Sequence, residues 1–494
     1  MISSLFLLAA VPPPQALPVL HEESVLASSE SDITLFGSSL ALDGNRLAVS
    51  GTGPDLEEYH VLHREGREWV SELDVVDRSG LPLWYAVTAL DGDRLLLSSG
   101  ENDRTTFFRR TGGTWVSERS FFPIARWSTL DGDRLVITDY WNHSQSMFPL
   151  QVFADGAAGW ELETEILPDA PQASGTCCVP LELSGNTLAF AALGASGSPS
   201  IQVYIRQHGQ WEKQAELWPA SGGIGTLELA LQGNTLVALV QEHSGVFAAT
   251  AYVFERRRSA WRETARLYPE QLGTAAIDGD RMVLGQAANG DSVPGSAFVV
   301  ERDRGVWKPA FELRASDGAD LGLALDVDGR TVAVSSDVGE SLLGRVFFFR
   351  LPALPRVNPY GCGINPADSL RVLAGSSAIG DELSLGLANP LDPGSESLGV
   401  LFLSRRADPS YPCGTEVAGL GLDGGPGELL LRRDPAFLVA SLIVAGTPGE
   451  PLVVKLPIPL DPSLVGHRFY AQGALRGVDR RWGLTTGLEL SIGR

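Results

Sequence analysis

Acidic side chains recur at tight turns along this chain and are the first candidates for chemistry. An Asp-Gly pair, or a close variant of it, lies between two apolar stretches seven times, and the acidic members are Asp43, Asp91, Asp131, Asp278 and Asp328. Carboxylates gathered on one face could bind a cation or a basic partner. Asp-Gly is also a preferred pair in tight hairpin turns, because both residues tolerate unusual backbone angles. We favour the second interpretation, in which these residues are chosen for backbone geometry.

Other chemistry-bearing residues form no recognisable catalytic set. His60 and His63 lie three apart on a predicted strand, so their side chains are expected on opposite faces, which does not suit a shared metal. The sequence contains no Gly-x-Ser-x-Gly elbow, phosphate-binding loop or dinucleotide fingerprint. We therefore predict no catalytic residue and no cofactor.

Four cysteines fit an oxidising compartment without defining a disulfide-dependent scaffold. Cys362 and Cys413 stand in similar settings, Tyr-Gly-Cys-Gly and Tyr-Pro-Cys-Gly, and are expected to pair. The adjacent Cys177 and Cys178 are either free thiols or one unusual disulfide. No spacing of cysteine and histidine suits zinc.

Length, charge and the first residues limit the class of protein. At 494 residues the chain is expected to form two or more domains. A net charge of −22 argues against nucleic acid and anionic membrane surfaces as partners, and mainly favours solubility. Residues 1–16 form a short apolar run that is typical of a signal peptide, although a basic start is missing. No apolar segment is long enough to span a membrane, so we expect a secreted or cell-surface protein of bacterial type.

The turn motif marks an internal repeat. Its glycines are separated by 48, 40, 53, 48, 46 and 50 residues, which is the spacing of propeller blades. Each turn is followed by further short strands and then by a tryptophan 23 to 28 residues beyond its glycine. The seven turn glycines are Gly44, Gly92, Gly132, Gly185, Gly233, Gly279 and Gly329. The sequence therefore predicts an all-β fold with seven four-stranded blades over residues 20–351.

A tryptophan recurs once in each of the first six copies: Trp69, Trp115, Trp160, Trp211, Trp261 and Trp307. These rings could stack on sugars, but we expect them to pack between blades, because every copy needs the same core contact. The seventh copy ends without its tryptophan. Residues 20–28 resemble the segment that follows each tryptophan, so we predict that this N-terminal strand completes the last blade and closes the ring.

The segments Leu35–Gly44 and Leu321–Gly329 resemble FG-GAP repeats, the blades of the integrin α-subunit propeller. The resemblance covers residues 20–351 and implies a seven-bladed propeller. Some integrin blades hold a calcium loop of the form Asp-x-Asp-x-Asp-Gly, and only Asp326 and Asp328 come near this pattern here. Two carboxylates are too few for a calcium site, which needs six to eight oxygen ligands, so calcium is an unsupported candidate.

The region after the repeats has a different pattern. Prolines mark a linker over residues 352–366, and residues 357–494 contain about seven short β runs separated by Gly and Pro, which predicts a β-sandwich. Three phrases, at 360–366, 469–475 and 484–490, look like a terminal β-domain that recurs on secreted bacterial proteins. That resemblance implies a role in surface attachment, in sorting, or as an accessory domain.

Three functional hypotheses follow. The leading one is a non-enzymatic, monomeric scaffold that binds an extracellular or cell-surface protein or glycan over the channel, or through loops at 138–148, 190–200 and 239–249. The second is a propeller-type lyase or hydrolase acting on extracellular glycans, and the third is calcium-dependent adhesion. A convergent polar cluster in the channel would favour the enzyme, and a bland lining would favour the scaffold.

Overall fold

The computed structural model describes residues 17–28, 35–52, 57–66, 68–77, 88–99, 104–121, 125–139, 149–157, 159–169, 180–193, 199–219, 225–241, 249–267, 272–286, 295–303, 305–336, 344–392, 398–432, 438–445, 450–476 and 481–493. Strands dominate these residues, and one 3₁₀ turn, Pro462–Leu464, accompanies them. The predicted all-β class is confirmed. The chain divides into two compact units, Met1–Arg350 and Leu351–Arg494. The predicted leader 1–16, Cys177 and Cys178, and most of the three candidate loops lie outside the described residues.

The described part of the first unit forms seven antiparallel meanders, numbered here as sheets 1 to 7. Sheets 1 to 3 consist of β3 (Ser39–Asp43), β4 (Arg46–Thr52), β5 (Glu57–Glu65) and β6 (Glu68–Asp77); β7 (Thr88–Asp91), β8 (Arg94–Ser99), β9 (Arg104–Thr111) and β10 (Thr114–Phe121); and β11 (Ala125–Asp131), β12 (Arg134–Asp139), β13 (Leu150–Gly156) and β14 (Gly159–Ile166). Sheets 4 and 5 consist of β15 (Leu181–Ser184), β16 (Thr187–Leu193), β17 (Pro199–Gln207) and β18 (Gln210–Leu217); and β19 (Gly225–Gln232), β20 (Thr235–Gln241), β21 (Ala249–Arg257) and β22 (Ala260–Leu267). Sheet 6 contains β23 (Thr274–Asp278), β24 (Arg281–Gln286), β25 (Ser296–Asp303) and β26 (Val306–Arg314), and sheet 7 contains β27 (Leu321–Asp328), β28 (Thr331–Ser336) and β29 (Arg345–Arg350).

The repeated turn connects the first two strands of every sheet. In sheet 1, Asp43 pairs with Arg46, which leaves a two-residue loop of Gly44 and Asn45. The seven turn glycines all have φ between 57° and 60°. Gly44 at the first loop position has positive φ and Asn45 at the second does not, which is the pattern of a type II′ turn, whose twist matches that of the strands it joins. The turn therefore requires glycine at this position.

The sheets form a closed ring around a channel. The first strand of each sheet lies against the first strand of the next, and β27 of sheet 7 lies against β3 of sheet 1. Radial four-stranded meanders with their first strands innermost form a β-propeller.

The N-terminal segment completes the ring at two places. The strand β2 (Ser24–Ala27) lies antiparallel to β29 as the fourth strand of sheet 7, which is the predicted pairing. The strand β1 (Val19–His21) runs parallel to β26 and adds a fifth strand to sheet 6, a pairing that the sequence did not predict. One short segment thus ties together two neighbouring sheets.

Tryptophans pack in the cores between neighbouring sheets. Trp115 is buried among Ala48, Tyr59 and Val61 of sheet 1, and Trp307 is buried in a core that contains side chains of sheet 5. Trp69 stacks on Phe348 of sheet 7, with ring centroids 4.5 Å apart. The other repeated tryptophans, Trp160, Trp211 and Trp261, occupy equivalent cores shared with the preceding sheet.

The second unit contains a five-stranded sheet, a three-stranded sheet and a two-stranded sheet among its described residues. The five strands are β30 (Arg356–Tyr360), β39 (Trp482–Ser491), β38 (Arg468–Arg476), β33 (Leu398–Ser404) and β36 (Leu438–Ala445); the others are β31 (Leu370–Ala374), β32 (Glu382–Leu387) and β37 (Leu452–Pro457), and β34 (Thr415–Val417) with β35 (Gly427–Leu429). The two larger sheets share one apolar core, which includes Leu385, Leu401 and Leu488. The predicted linker 352–366 contains β30, which pairs with β39.

The three phrases singled out in the second unit meet in one buried network. The side-chain amides of Asn365 and Gln472 both donate to the carbonyl oxygens of Glu428 and Thr485, at 2.7 to 2.9 Å. The hydroxyl of Thr486 donates to the carbonyl oxygen of Tyr360. These motif residues therefore satisfy buried backbone groups of the fold.

Replacement of Leu26 by Asp should lower the midpoint of thermal unfolding by about 5 °C or more, because it places a charge in the core between sheets 7 and 1. The matched control is Val25→Asp on the same strand, where the side chain is 44% exposed. Circular dichroism melting curves measure both variants. Equal midpoints for the two would contradict the closing role of β2.

Candidate binding site in the central channel

The acidic residue of each repeated turn accepts a hydrogen bond from the next sheet. The carboxylate of Asp91 accepts from the backbone N–H of Gly132 at 2.6 Å, and that of Asp131 accepts from Gly185 at 2.5 Å. Asp328 of sheet 7 accepts from Gly44 of sheet 1 at 2.5 Å, which closes the circle. The remaining pairs, each with the acceptor first, are Asp43 with Gly92, Ser184 with Gly233, Gln232 with Gly279, and Asp278 with Gly329.

This ring of seven inter-sheet hydrogen bonds, called the turn ring below, explains the variants at the position before glycine. Ser184 and Gln232 lack a carboxylate but still supply an oxygen acceptor. From the sequence alone, Ser184 and Gln232 are expected to be turn residues that serve only their own backbone geometry. In all seven repeats the residue before the turn glycine has a side-chain oxygen that can accept a hydrogen bond. This shared property is the sequence signal that could have predicted a contact between repeats.

The two weak calcium candidates direct oxygens at backbone amides. One carboxylate oxygen of Asp326 accepts from Leu42 N–H at 2.7 Å, and the other accepts from Val327 N–H at 2.8 Å. Asp328 accepts from Gly44, as described above. Among the described residues, the group of three possible metal ligands that lie close together is Cys362, Cys413 and Glu428. Both sulfurs of that group form the predicted disulfide, Cys362–Cys413.

A second set of hydrogen bonds between neighbouring sheets lies near the repeated tryptophans. Glu72 of sheet 1 accepts from Nε1 of Trp115 and from the guanidinium of Arg110, both at 3.1 Å. Glu255 of sheet 5 likewise accepts from Trp307 at 3.1 Å and Arg302 at 2.9 Å. These carboxylates are therefore structural, since their hydrogen bonds join adjacent sheets.

Three carboxyl groups, including that of Asp326, lie on innermost strands of the ring. Glu182, Glu228 and Asp326 lie on the innermost strands β15, β19 and β27, and their side chains are partly accessible. The charge of Glu182 interacts with those of Glu228 and Asp326. Glu182 and Asp326 belong to sheets 4 and 7, which are not neighbours in the ring. We call these three residues the channel acids.

All three channel acids are hard to ionise. Burial raises the pKa of Glu228 to about 8. Burial also raises the pKa of Asp326 to about 7, against the lowering effect of its two amide hydrogen bonds. For Glu182, burial and then the charges of Glu228 and Asp326 raise the pKa well above its ordinary value. The cluster therefore carries protons near neutral pH that exposed carboxylates would have lost.

The two histidines of β5 contact different carboxylates. His60 lies within hydrogen-bond distance of Glu58 and Asp74, whereas His63 lies 2.9 Å from Glu65. The described carboxylates near the two histidines are therefore different ones.

No family model matches the chain, and no curated protein matches it. Among solved structures, a chain of the mitotic checkpoint complex matches with a TM-score of 0.45 and 12% identity, covering 71% of this chain and 99% of that chain. The β-propeller domain of the trilobed protease from Pyrococcus furiosus matches with a TM-score of 0.43 and 11% identity, covering 64% and 95% of the two chains. The computationally designed Ika8 protein gives 0.39 and 13%, covering 67% and 99%. At such scores the propeller assignment rests on the strand pairing described above, and the FG-GAP resemblance stays a hypothesis.

Among the described residues, no helix is long and apolar enough to cross a membrane.

Loss of one acceptor of the turn ring should destabilise the fold. Asp91→Ala leaves the N–H of Gly132 without its partner and should cost about 1–2 kcal/mol of unfolding free energy. Asp91→Asn keeps an oxygen acceptor and should cost less. The control is Asp93→Ala in the same turn, where the side chain is 59% exposed. Urea unfolding followed by tryptophan fluorescence measures all three, and an equal loss for Asp93→Ala would contradict the turn ring.

Stability should fall as the pH rises through the region where the channel acids ionise. In the unfolded chain these groups lose their protons near pH 4, but in the folded protein Asp326 and Glu228 keep them to about 7 and 8. The folded state thus binds more protons between these values, so the unfolding free energy decreases from about pH 4 to about pH 8. Glu228→Gln should flatten this decrease, whereas Glu161→Gln, at an exposed site on β14, should not. Melting curves at a series of pH values provide the measurement.

Proposed function

We propose that this chain is an exported, non-enzymatic binding scaffold made of a seven-bladed β-propeller and a C-terminal β-sandwich. The domains would be a leader at 1–16, the propeller at 20–351, a linker within 352–366 and the sandwich at 357–494. The closed ring of sheets and the shared core of the second unit support this organisation. The disulfide Cys362–Cys413 supports an oxidising destination, outside the cell or at its surface.

The observations that carry the binding role are the positions of Glu182, Glu228 and Asp326 on innermost strands of the ring and the effect of Glu228 and Asp326 on the pKa of Glu182. Three carboxyl groups in a confined space attract a positively charged group more strongly than the same groups on an open surface, because less water screens them. The net charge of −22 adds long-range attraction for a basic partner. We therefore infer that the ligand presents an arginine, a lysine or another organic cation to the channel, and that the protein acts as a monomer.

A second candidate function has support from the same residues. A carboxyl group that stays protonated near neutral pH meets one requirement of a general acid, and glycoside hydrolysis uses a pair of carboxyl groups. An extracellular glycan-cleaving enzyme is thus the alternative, with Glu228 as the proton donor. By the criterion stated from the sequence, a polar cluster of this kind favours the enzyme. The scaffold remains our first choice because, among the described residues near the channel acids, no further group has an assignable catalytic role.

One set of variants separates the two functions. Binding of a fluorescein-labelled nona-arginine peptide, measured by fluorescence anisotropy, should weaken about tenfold or more when Glu182→Gln, Glu228→Gln and Asp326→Asn are combined. The matched control combines Glu68→Gln, Glu161→Gln and Glu212→Gln, which remove the same charge from exposed strand positions. Because the channel acids must ionise to attract the peptide, affinity for the unmodified protein should rise from pH 6 to pH 9.

Equal weakening in both triple variants would attribute binding to overall charge and refute a channel site. A screen against glycan substrates tests the alternative with the same proteins. Sustained turnover that disappears in Glu228→Gln would replace the scaffold by the enzyme.

A further inference from the structure

The seam between sheets 7 and 1 contains a histidine held between two carboxylates. The ring of His60 on β5 has its Nδ1 2.6 Å from Asp74 Oδ1 and its Nε2 3.1 Å from Glu58 Oε2. Glu58 is 1% exposed, and the His60 side chain is 19% exposed. Both carboxylates belong to sheet 1, on β5 and β6.

Both contacts require a charged ring. A neutral imidazole carries one N–H and one bare nitrogen, whereas the imidazolium donates from both nitrogens. With an acceptor-only carboxylate oxygen on each side, a neutral His60 would lose one hydrogen bond and direct a lone pair at a carboxylate. The geometry therefore selects the protonated form.

The buried carboxylate extends this chain of contacts to the closing segment. The hydroxyl of Ser28 donates to Glu58 Oε1 at 2.8 Å, and Ser28 follows the closing strand β2 directly. Glu58 thus contacts His60 through one oxygen and the end of the closing segment through the other. The exposed end of the network is Asp74, which also accepts from the hydroxyl of Ser71 at 2.7 Å.

Among the residues that the structure describes around His60, no other charged group has this role. On β4 its pairing partner is Val49, on β6 it is Asp74, and the ring of Phe36 lies 6.0 Å away. An ion pair between Arg64 and Glu23, at 3.1 Å, does not involve the histidine. Glu58 and Asp74 are accordingly the charges that act on the pKa of His60.

We propose that His60 is a pH-sensitive latch on ring closure: the imidazolium holds Glu58 in the position where it binds Ser28, and deprotonation loosens the closing strand. When the proton leaves, Glu58 and Asp74 lose the cation between them, and Glu58 is left as a buried carboxylate with weaker support. The closing strand then opens more often while the rest of the ring stays intact.

The direction of the effect follows from the pKa of His60. Burial lowers it, but hydrogen bonds and charges from Glu58 and Asp74 outweigh burial and raise it above its ordinary value. A histidine with a raised pKa in the folded state stabilises fully below about pH 6.5, and this stabilisation is lost as the pH rises through the folded value. The latch is therefore closed in acid and released in alkali.

Hydrogen exchange read out by mass spectrometry tests the latch in the full chain. Protection factors for peptides covering residues 24–28, corrected for the chemical exchange rate at each pH, should fall about tenfold for each unit by which the pKa of His60 is raised. Peptides covering β21 on the far side of the ring serve as the internal reference, because global destabilisation by the channel acids affects them equally. His60→Gln should give low, pH-independent protection at residues 24–28.

The matched control is His63→Gln, which alters a histidine on the same strand that contacts Glu65 and Glu72 but not Ser28. It should behave as the unmodified protein does. Glu58→Gln, a second variant that serves if His60→Gln does not fold, should shift the transition to lower pH by removing a charge that favours the imidazolium. The proposal is overturned if residues 24–28 and β21 change in parallel, if the pH dependence survives in His60→Gln, or if His63→Gln abolishes it.

Discussion

The propeller depends on one repeated hydrogen bond. The side-chain oxygen before each turn glycine accepts it from the backbone N–H of the turn glycine in the next sheet. A four-stranded meander on its own would leave both of its faces exposed. The turn ring supplies a directional contact at the innermost hairpins, where seven radial sheets must keep one angular spacing. Apolar packing around the tryptophans is larger in area but not directional, so it tolerates sliding that hydrogen bonds do not.

The channel acids are understandable as exceptions to this regular arrangement. Glu182 and Asp326 both stand three residues before their turn glycine. In the other five copies the same position holds a small residue: Ala41, Ala89, Thr129, Ala230 and Ala276. Small residues at this position suit close packing against the next sheet, as Ala230 shows, whereas a carboxyl group there loses hydration and gains a raised pKa. A position that is structural in most copies is therefore free to carry chemistry in two.

Much of the fold could be predicted from sequence because it repeats. Each turn glycine needs positive φ locally, so Gly44 and its counterparts identified the hairpins without any knowledge of the ring. The parallel addition of β1 to sheet 6 and the strand β36 were missed, since neither belongs to a repeat. The channel acids were missed for a different reason. Glu228 and Asp326 are far apart in sequence, and only ring closure turns three ordinary acidic residues into one cluster.

The position of the closing strand also determines when the native protein can form. Leu26 pairs with Val346, so β2, which lies near the start of the chain, must wait for one of the last strands of the ring. Contacts between such distant residues carry a large loop-closure entropy and slow folding. During synthesis β2 stays without its partner β29 while the hundreds of residues between them are made. A strand edge that is exposed for that time is open to incorrect pairing. The strand that closes the finished ring thus delays completion of the ring until the last sheet has been synthesised.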